Sequence, residues 1–187
     1  MKRIEWNVSA GAVLLFALMY FFDGSGLVSA AVPAVCAHEL GHLLPLLLCG
    51  HRLRRISVSL FGLELDYAGR LEGGAALFCI GGGPLAGTVY ALLACSLGGA
   101  FWRISGAVSF LLTAFNLLPI LPLDGGRLVG QLAGEAVTKY ISRVFALLLF
   151  AAGVFAVMRF RTLSLLMMGA WLTVCNFRAE GDDSYGV

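Results

Sequence analysis

The first residues that could do chemistry form the pentapeptide His38-Glu39-Leu40-Gly41-His42. It lies inside an apolar run from Leu27 to Leu48, where a membrane helix is expected. On a helix, residues four positions apart share one face, so both imidazoles can reach a single cation. Glu39, beside the first histidine, is placed to take a proton from a water activated by that cation. The pattern therefore predicts a zinc site that performs hydrolysis within a membrane.

The same residues have two plainer explanations. A buried histidine and glutamate can satisfy each other's hydrogen bonds inside a helix bundle, or the histidines can hold a structural metal. Ionisable residues within a membrane segment are costly to bury and are functional by default. We therefore favour the hydrolytic interpretation.

A second informative stretch covers residues 116–127 and contains Asp124. Its two prolines, three positions apart, end a regular helix, and Gly125-Gly126 permit a tight turn. Asp124 lies about twenty residues after Ile104, at a depth close to that of His42. Because a catalytic zinc takes three protein ligands and keeps one open position, Asp124 is a candidate third ligand. On spacing alone, Asp124 is slightly better explained as an ordinary interfacial turn residue than as a ligand.

The composition indicates a multipass membrane protein. The chain has 187 residues, of which 59% are apolar and 13% are charged, well outside the range of soluble domains. Apolar segments predict six transmembrane helices, near residues 8–22, 27–48, 75–97, 104–118, 144–158 and 163–177. We predict an all-α polytopic membrane fold with a core at 1–178 and a short, solvated tail at 179–187. The five cysteines are scattered and indicate no disulfide framework, and the net charge of +2 gives no reason to expect nucleic-acid binding.

The basic residues predict the topology of these spans, because Lys and Arg favour cytoplasmic loops. Six spans with both termini in the cytoplasm place all of the 13 basic residues on the inner side except Arg103, Arg159 and Arg161. His38 then lies about 17 Å along a helix about 33 Å long. The motif is therefore expected past the midplane, toward the cytoplasmic side of a bacterial cell membrane.

Residues 56–67 alternate in polarity and are rich in strand formers, which predicts a short β hairpin or sheet between helices two and three, at the membrane edge. One function of such a hairpin is to bind an extended substrate by main-chain hydrogen bonds, with Phe61 and Gly62 as candidate contacts. A simple connector on the membrane surface is an equally good interpretation. In the next apolar segment, Gly81-Gly82-Gly83-Pro84 permits close approach of helices, and its context does not support a phosphate loop.

Two motifs together carry a family resemblance. His38-Glu39-x-x-His42 in an apolar helix, followed by Asn116-x-x-Pro119-x-x-Pro122-Leu123-Asp124-Gly125, resembles the site-2 protease family of intramembrane metalloproteases, peptidase family M50. The resemblance covers nearly the whole chain, to Phe177. It implies a six-helix core in which His38, His42 and Asp124 hold Zn²⁺ and Glu39 is the general base.

The resemblance also implies substrate-binding residues. Asn116 matches an asparagine of the family motif that helps to position substrate or polarise the attacked carbonyl. Gly83-Pro84 matches a Gly-Pro of the family's third helix, and the hairpin corresponds to a membrane-edge sheet that contacts substrate.

Within the family, the chain is most similar to the sporulation group, which processes a membrane-associated pro-sigma factor. That similarity implies a candidate pro-sigma factor as substrate, with inhibitory membrane proteins and the lipid bilayer as further partners. Many members of that group carry a regulatory cystathionine-β-synthase domain; we expect neither that domain nor a PDZ domain here. One alternative is a general regulated intramembrane protease for anti-sigma factors or remnant signal peptides. The other is a non-enzymatic zinc-binding membrane protein, which a closed site with four ligands would favour.

Overall fold

The computed structural model describes residues 5–59, 62–69 and 71–178. Contacts divide the chain into two compact units, Met1–Ala114 and Phe115–Val187. The predicted tail at 179–187 lies outside the described residues. In chain order, the described elements are β1 (Glu5–Val8), α1 (Ala10–Phe21), α2 (Leu27–Leu48), β2 (Arg52–Ser59), β3 (Gly62–Ala68), α3 (Gly73–Leu97), α4 (Ala100–Asn116), α5 (Asp124–Ala133), α6 (Glu135–Phe160) and α7 (Ser164–Arg178).

Three of the described helices, α2, α3 and α6, are long and apolar enough to cross a membrane. This supports an integral membrane protein. Helices α1, α4 and α7 have 12, 17 and 15 residues and coincide with the other predicted apolar segments. The count of six spans stays a prediction.

In the first unit, α2 packs closely along α3 because glycines face each other at the crossing. A Cβ on Gly41 would overlap the carbonyl oxygen of Gly82 and would lie 2.6 Å from Cβ of Ala86. A Cβ on Gly82 would in turn overlap the carbonyl oxygen of Gly41. The glycine run therefore permits close helix approach, as the sequence predicted.

The first unit also contains a three-stranded sheet in the order β1-β2-β3. Strands β2 and β3 pair antiparallel, as the alternating pattern predicted, and β1 adds a parallel strand that the sequence analysis missed. The side chains of β1 and β2 meet in an ion pair, with Nη2 of Arg55 2.8 Å from Oε2 of Glu5. The location of this sheet at the membrane edge stays a prediction.

In the second unit, α6 packs against α7 around a small core of Ile120, Ala146 and Leu172. Helix α6 begins at Glu135, earlier than the predicted segment at 144–158. Its first turns carry Thr138 and Ser142, whose buried side chains interrupt the apolar pattern without interrupting the helix. Polar residues of this kind are common where membrane helices contact each other.

Candidate metal centre

The two histidines of the motif occupy one face of α2, as their spacing predicted. Their Nε2 atoms are 3.3 Å apart and their ring centroids are 5.0 Å apart. His38 is buried, and His42 and Glu39 are half-buried. The arrangement directs two imidazole nitrogens toward one point, which is what two ligands of a single cation require.

Helix α3 holds the ring of His42 in this orientation. Nδ1 of His42 lies 2.9 Å from the carbonyl oxygen of Cys79, which can only accept, so Nδ1 carries the proton and donates it. With the proton on Nδ1, the lone pair of Nε2 is available to a metal. The backbone of α3 therefore selects the tautomer that a metal ligand needs.

Gly83 gives the His42 ring its space. A Cβ at Gly83 would overlap Nε2 of His42 and would lie 2.6 Å from its Cδ2. Any side chain at position 83 would push the imidazole away. The structure thus gives Gly83 a packing role beside a candidate ligand, and its predicted contact with substrate stays a prediction.

Asp124 is the first residue of α5 and is buried. The sequence analysis took Gly125-Gly126 to permit a tight turn, and the structure instead places both residues in the first turn of this helix. The glycines serve close packing: a Cβ on Gly125 would overlap the carbonyl oxygen of Leu117, and one on Gly126 would lie 2.5 Å from the carbonyl carbon of Ile120. A carboxylate in the first turn is favoured by the unsatisfied N–H groups at a helix N-terminus.

Two buried polar residues that sequence analysis missed support the chain leading into α5. Oγ of Ser142 accepts a hydrogen bond from the N–H of Leu121 at 3.1 Å, and Nδ2 of Asn176 donates to the carbonyl oxygen of Leu121 at 2.7 Å. Their polarity within apolar helices was the sequence signal that could have identified them, because such residues form hydrogen bonds between helices. Both backbone groups of Leu121, three positions before Asp124, are therefore fixed by side chains.

The three predicted ligands come together. His38, His42 and Asp124 each offer one ligand atom, and these atoms all lie within 4.8 Å of one another. Two imidazoles and one carboxylate are a donor set of catalytic zinc sites, in which three protein ligands leave one position open. The residues present therefore fit a zinc ion.

The remaining predicted site residues are placed as follows. Asn116 is the last residue of α4 and is half-buried, and Pro84 is buried within α3. Gly62 is the first residue of β3, whereas Phe61 lies outside the described residues. Their contacts with substrate stay predictions.

Comparison with known proteins supports this interpretation of the site. Residues 82–160, which include Gly83, Asn116 and Asp124, match the model of a family described as Peptidase family M50. Among curated proteins, the one named "Putative zinc metalloprotease Rip3", from two strains of Mycobacterium tuberculosis, is 32% identical over 161 residues. The match covers 73% of this chain and 40% of each relative, so the chain spans about two fifths of the length of the curated relatives it matches.

A solved structure shares the fold. The site-2 protease from Methanocaldococcus jannaschii has a TM-score of 0.67 to this chain at 17% identity. The superposition covers 100% of this chain and 96% of that one. The likeness thus extends along the whole chain.

Proposed function

We infer that this chain is a member of peptidase family M50 and acts as an intramembrane zinc metalloprotease. The observation that carries this inference is the convergence of ligand atoms from His38, His42 and Asp124 within 4.8 Å. Three ligands leave a position open for catalysis, which favours an enzyme over a closed structural site. The family match and the shared fold support the same conclusion.

Each residue of the proposed site has a separate role in peptide hydrolysis. Bound zinc supplies Lewis-acid chemistry, making a water more acidic and polarising the peptide carbonyl. Glu39, adjacent to His38 on α2, takes the proton of the attacking water and then gives it to the leaving amine. His42 contributes a fixed Nε2 because its Nδ1 donates to the carbonyl oxygen of Cys79. Asp124 supplies a buried carboxylate at the start of α5.

A membrane-spanning substrate must be unwound before it is cut, because a helix hides its carbonyls in internal hydrogen bonds. The sheet of β1, β2 and β3 can hold an extended segment by main-chain hydrogen bonds, with Phe61 and Gly62 as the proposed contacts. Asn116 positions the segment or polarises the attacked carbonyl, and Gly83-Pro84 contacts it on α3. These roles rest on the motif resemblance and on the placement of the residues in the chain.

The membrane topology is part of the proposal. Six spans with both termini in the cytoplasm agree with the distribution of the 13 basic residues, and the site then lies toward the cytoplasmic side. The proposed core covers 1–178, followed by the tail at 179–187. Alkaline phosphatase fused after Arg103 or Arg161 is expected to be active, whereas a fusion after Arg70 is expected to be inactive.

The proposed substrate is a membrane-associated pro-sigma factor cleaved during sporulation. This finer proposal rests on the motifs at 38–42 and 116–125, which resemble those of stage IV sporulation protein FB. Inhibitory membrane proteins are the partners that such a role implies.

Co-expression of a tagged candidate pro-sigma factor tests both levels of the proposal. The wild-type chain and a Glu135→Gln control, altered at a carboxylate that pairs with Lys139, are expected to cleave it. Glu39→Gln is expected to bind zinc and to leave the substrate intact, because only the base is lost. Equal cleavage by Glu39→Gln contradicts the assigned base.

The same assay with an anti-sigma factor and a remnant signal peptide distinguishes an incorrect substrate proposal from an incorrect assignment of the reaction. Cleavage of these two and not of the pro-sigma factor assigns the chain to general regulated proteolysis. Zinc binding without cleavage of any of the three favours a non-enzymatic zinc protein.

A further inference from the structure

One face of α4 carries three buried hydroxyls, on Ser105, Ser109 and Thr113, each four positions from the next. A hydroxyl buried in an apolar segment is costly unless it forms a hydrogen bond. Ser105 shares one with the Tyr90 hydroxyl at 2.7 Å, and Ser109 donates to the carbonyl oxygen of Gly87 at 2.8 Å. The first two hydroxyls are therefore explained by the contact between α4 and α3.

The third hydroxyl is different. Thr113 is 4% exposed, and among residues 5–59, 62–69 and 71–178 its Oγ1 has no hydrogen-bond partner. A threonine in a helix can bond to the carbonyl four residues earlier, and Thr113 does not. An unsatisfied buried hydroxyl is destabilising because it has lost its hydrogen bonds to water and gained none in the protein. Its presence needs a reason other than the packing of α4.

Gly87 on α3 supplies that reason. A Cβ on Gly87 would overlap Oγ1 of Thr113 and would lie 3.4 Å from Nδ1 of His38 and 3.6 Å from Oγ of Ser109. The absence of a side chain at position 87 thus makes room for the Thr113 hydroxyl near Nδ1 of His38 and Oγ of Ser109. This part of α3, the Gly87 cradle, therefore brings a hydroxyl without a hydrogen bond close to a ring nitrogen of His38.

The His38 atom that faces the cradle is the one directed away from the metal centre. Its other ring nitrogen, Nε2, is 3.3 Å from Nε2 of His42. Metal-bound histidines almost always donate the opposite ring N–H to an acceptor, which fixes both the tautomer and the orientation of the ring. For His42 that acceptor is the carbonyl oxygen of Cys79.

We propose that Thr113 is a positioning residue of the metal centre, whose hydroxyl, beside the Gly87 cradle, accepts the hydrogen bond of His38 Nδ1–H directly or through one bridging water. The proton held on Nδ1 leaves Nε2 free to bind the ion. This inference rests on the proposed zinc site and deepens it. Thr113 is a side-chain partner that mutation can remove, whereas the partner of His42 is a backbone carbonyl.

The test is the zinc affinity of the full chain, purified in detergent and measured by chelator competition. Thr113→Val keeps the shape and removes the hydroxyl, and it is expected to weaken zinc binding about 10–100-fold. Thr113→Ser restores the hydroxyl and is expected to restore the affinity. Ser105→Ala removes a buried hydroxyl from the same face of α4 and is expected to keep wild-type affinity.

The absorption spectrum of the Co²⁺-loaded protein adds a readout that packing alone does not change. We expect the Co²⁺ bands to shift in Thr113→Val and to match the wild type in Thr113→Ser and Ser105→Ala. If Thr113→Val does not fold, Thr113→Ala replaces it in both measurements.

Wild-type affinity and spectrum in Thr113→Val overturn the inference, as does an equal loss of affinity in Ser105→Ala. In either case zinc binding by the wild type leaves the proposed function standing. A wild-type chain that binds no zinc overturns the proposed function and this inference together.

Discussion

Replacement of Asn176 by leucine tests whether a side chain of α7 fixes the chain that leads into the metal centre. Nδ2 of Asn176 donates to the carbonyl oxygen of Leu121 at 2.7 Å and to that of Leu172, four residues earlier in α7, at 2.9 Å. The side chain is 9% exposed. Leucine has a similar size, so the substitution removes these hydrogen bonds and changes the packing little.

The expected cost comes from the carbonyl of Leu121. In the variant the carbonyl of Leu172 keeps a donor, because the backbone N–H of residue 176 lies four positions later in α7. The carbonyl of Leu121 lies outside regular structure and loses its amide donor. An acceptor left without a partner at a partly buried position costs about 1–2 kcal/mol. We therefore expect the ratio of folded to unfolded protein to fall about 5- to 30-fold.

The assay is equilibrium unfolding of the purified protein in detergent, with Ser142→Ala and the double variant measured in parallel. Both side chains bind the backbone of Leu121, so their effects are expected to be non-additive by at least about 0.5 kcal/mol. An unchanged free energy of unfolding in Asn176→Leu would refute the assigned role. Strict additivity would show that the two side chains act independently of each other and would contradict their coupling through Leu121.

Three further predictions concern the metal centre and the helix that carries it. Gly83→Ala is expected to displace the His42 ring and to weaken zinc binding by at least tenfold, whereas Gly81→Ala, whose Cβ would meet nothing within 4 Å, keeps wild-type affinity in the same chelator assay. Hydrogen bonds from Ser25 and from the N–H of Val28 hold the pKa of Asp23 below its ordinary value of 3.8. A carboxyl with a lowered pKa stabilises the folded state above its unfolded pKa and loses that contribution as pH falls through the folded pKa. Asp23→Asn is therefore expected to weaken the acid dependence of the melting temperature below about pH 4. Zinc in 100-fold excess over its dissociation constant is expected to stabilise the fold by about 2.7 kcal/mol, so a chelator should lower the melting temperature, and an unchanged value would contradict a native zinc site.

The position of the motif helix could be predicted because its signals are local. The run from Leu27 to Leu48 is continuous and apolar, and the preceding turn contains Gly26 in the left-handed conformation, with a φ of 72°. Asp23 and Ser25 accept hydrogen bonds from the N–H groups of Val28 and Leu27, which completes the start of α2. The face shared by His38 and His42 then follows from helix geometry alone.

Other features depend on contacts that the local sequence does not encode. Gly125 and Gly126 are typical turn residues, yet they lie in the first turn of α5, where the preceding chain passes too close for any Cβ. Strand β1 has four residues and pairs with a strand about fifty positions later, so its pairing leaves little local pattern. The buried hydroxyl of Thr113 resembles ordinary polar residues of membrane helices until Gly87 is placed beside it. Such supporting residues become visible only when the helices are packed.

The most direct test of the zinc site is X-ray absorption at the zinc edge of the purified wild-type chain. We predict one zinc per chain with two nitrogen ligands at about 2.0–2.1 Å from His38 and His42 and oxygen ligands at about 2.0–2.2 Å, one of them from Asp124. In Asp124→Ala the zinc content should fall while the protein remains folded. A chain without zinc, a zinc bound by sulfur at about 2.3 Å, or full zinc content in Asp124→Ala would contradict it.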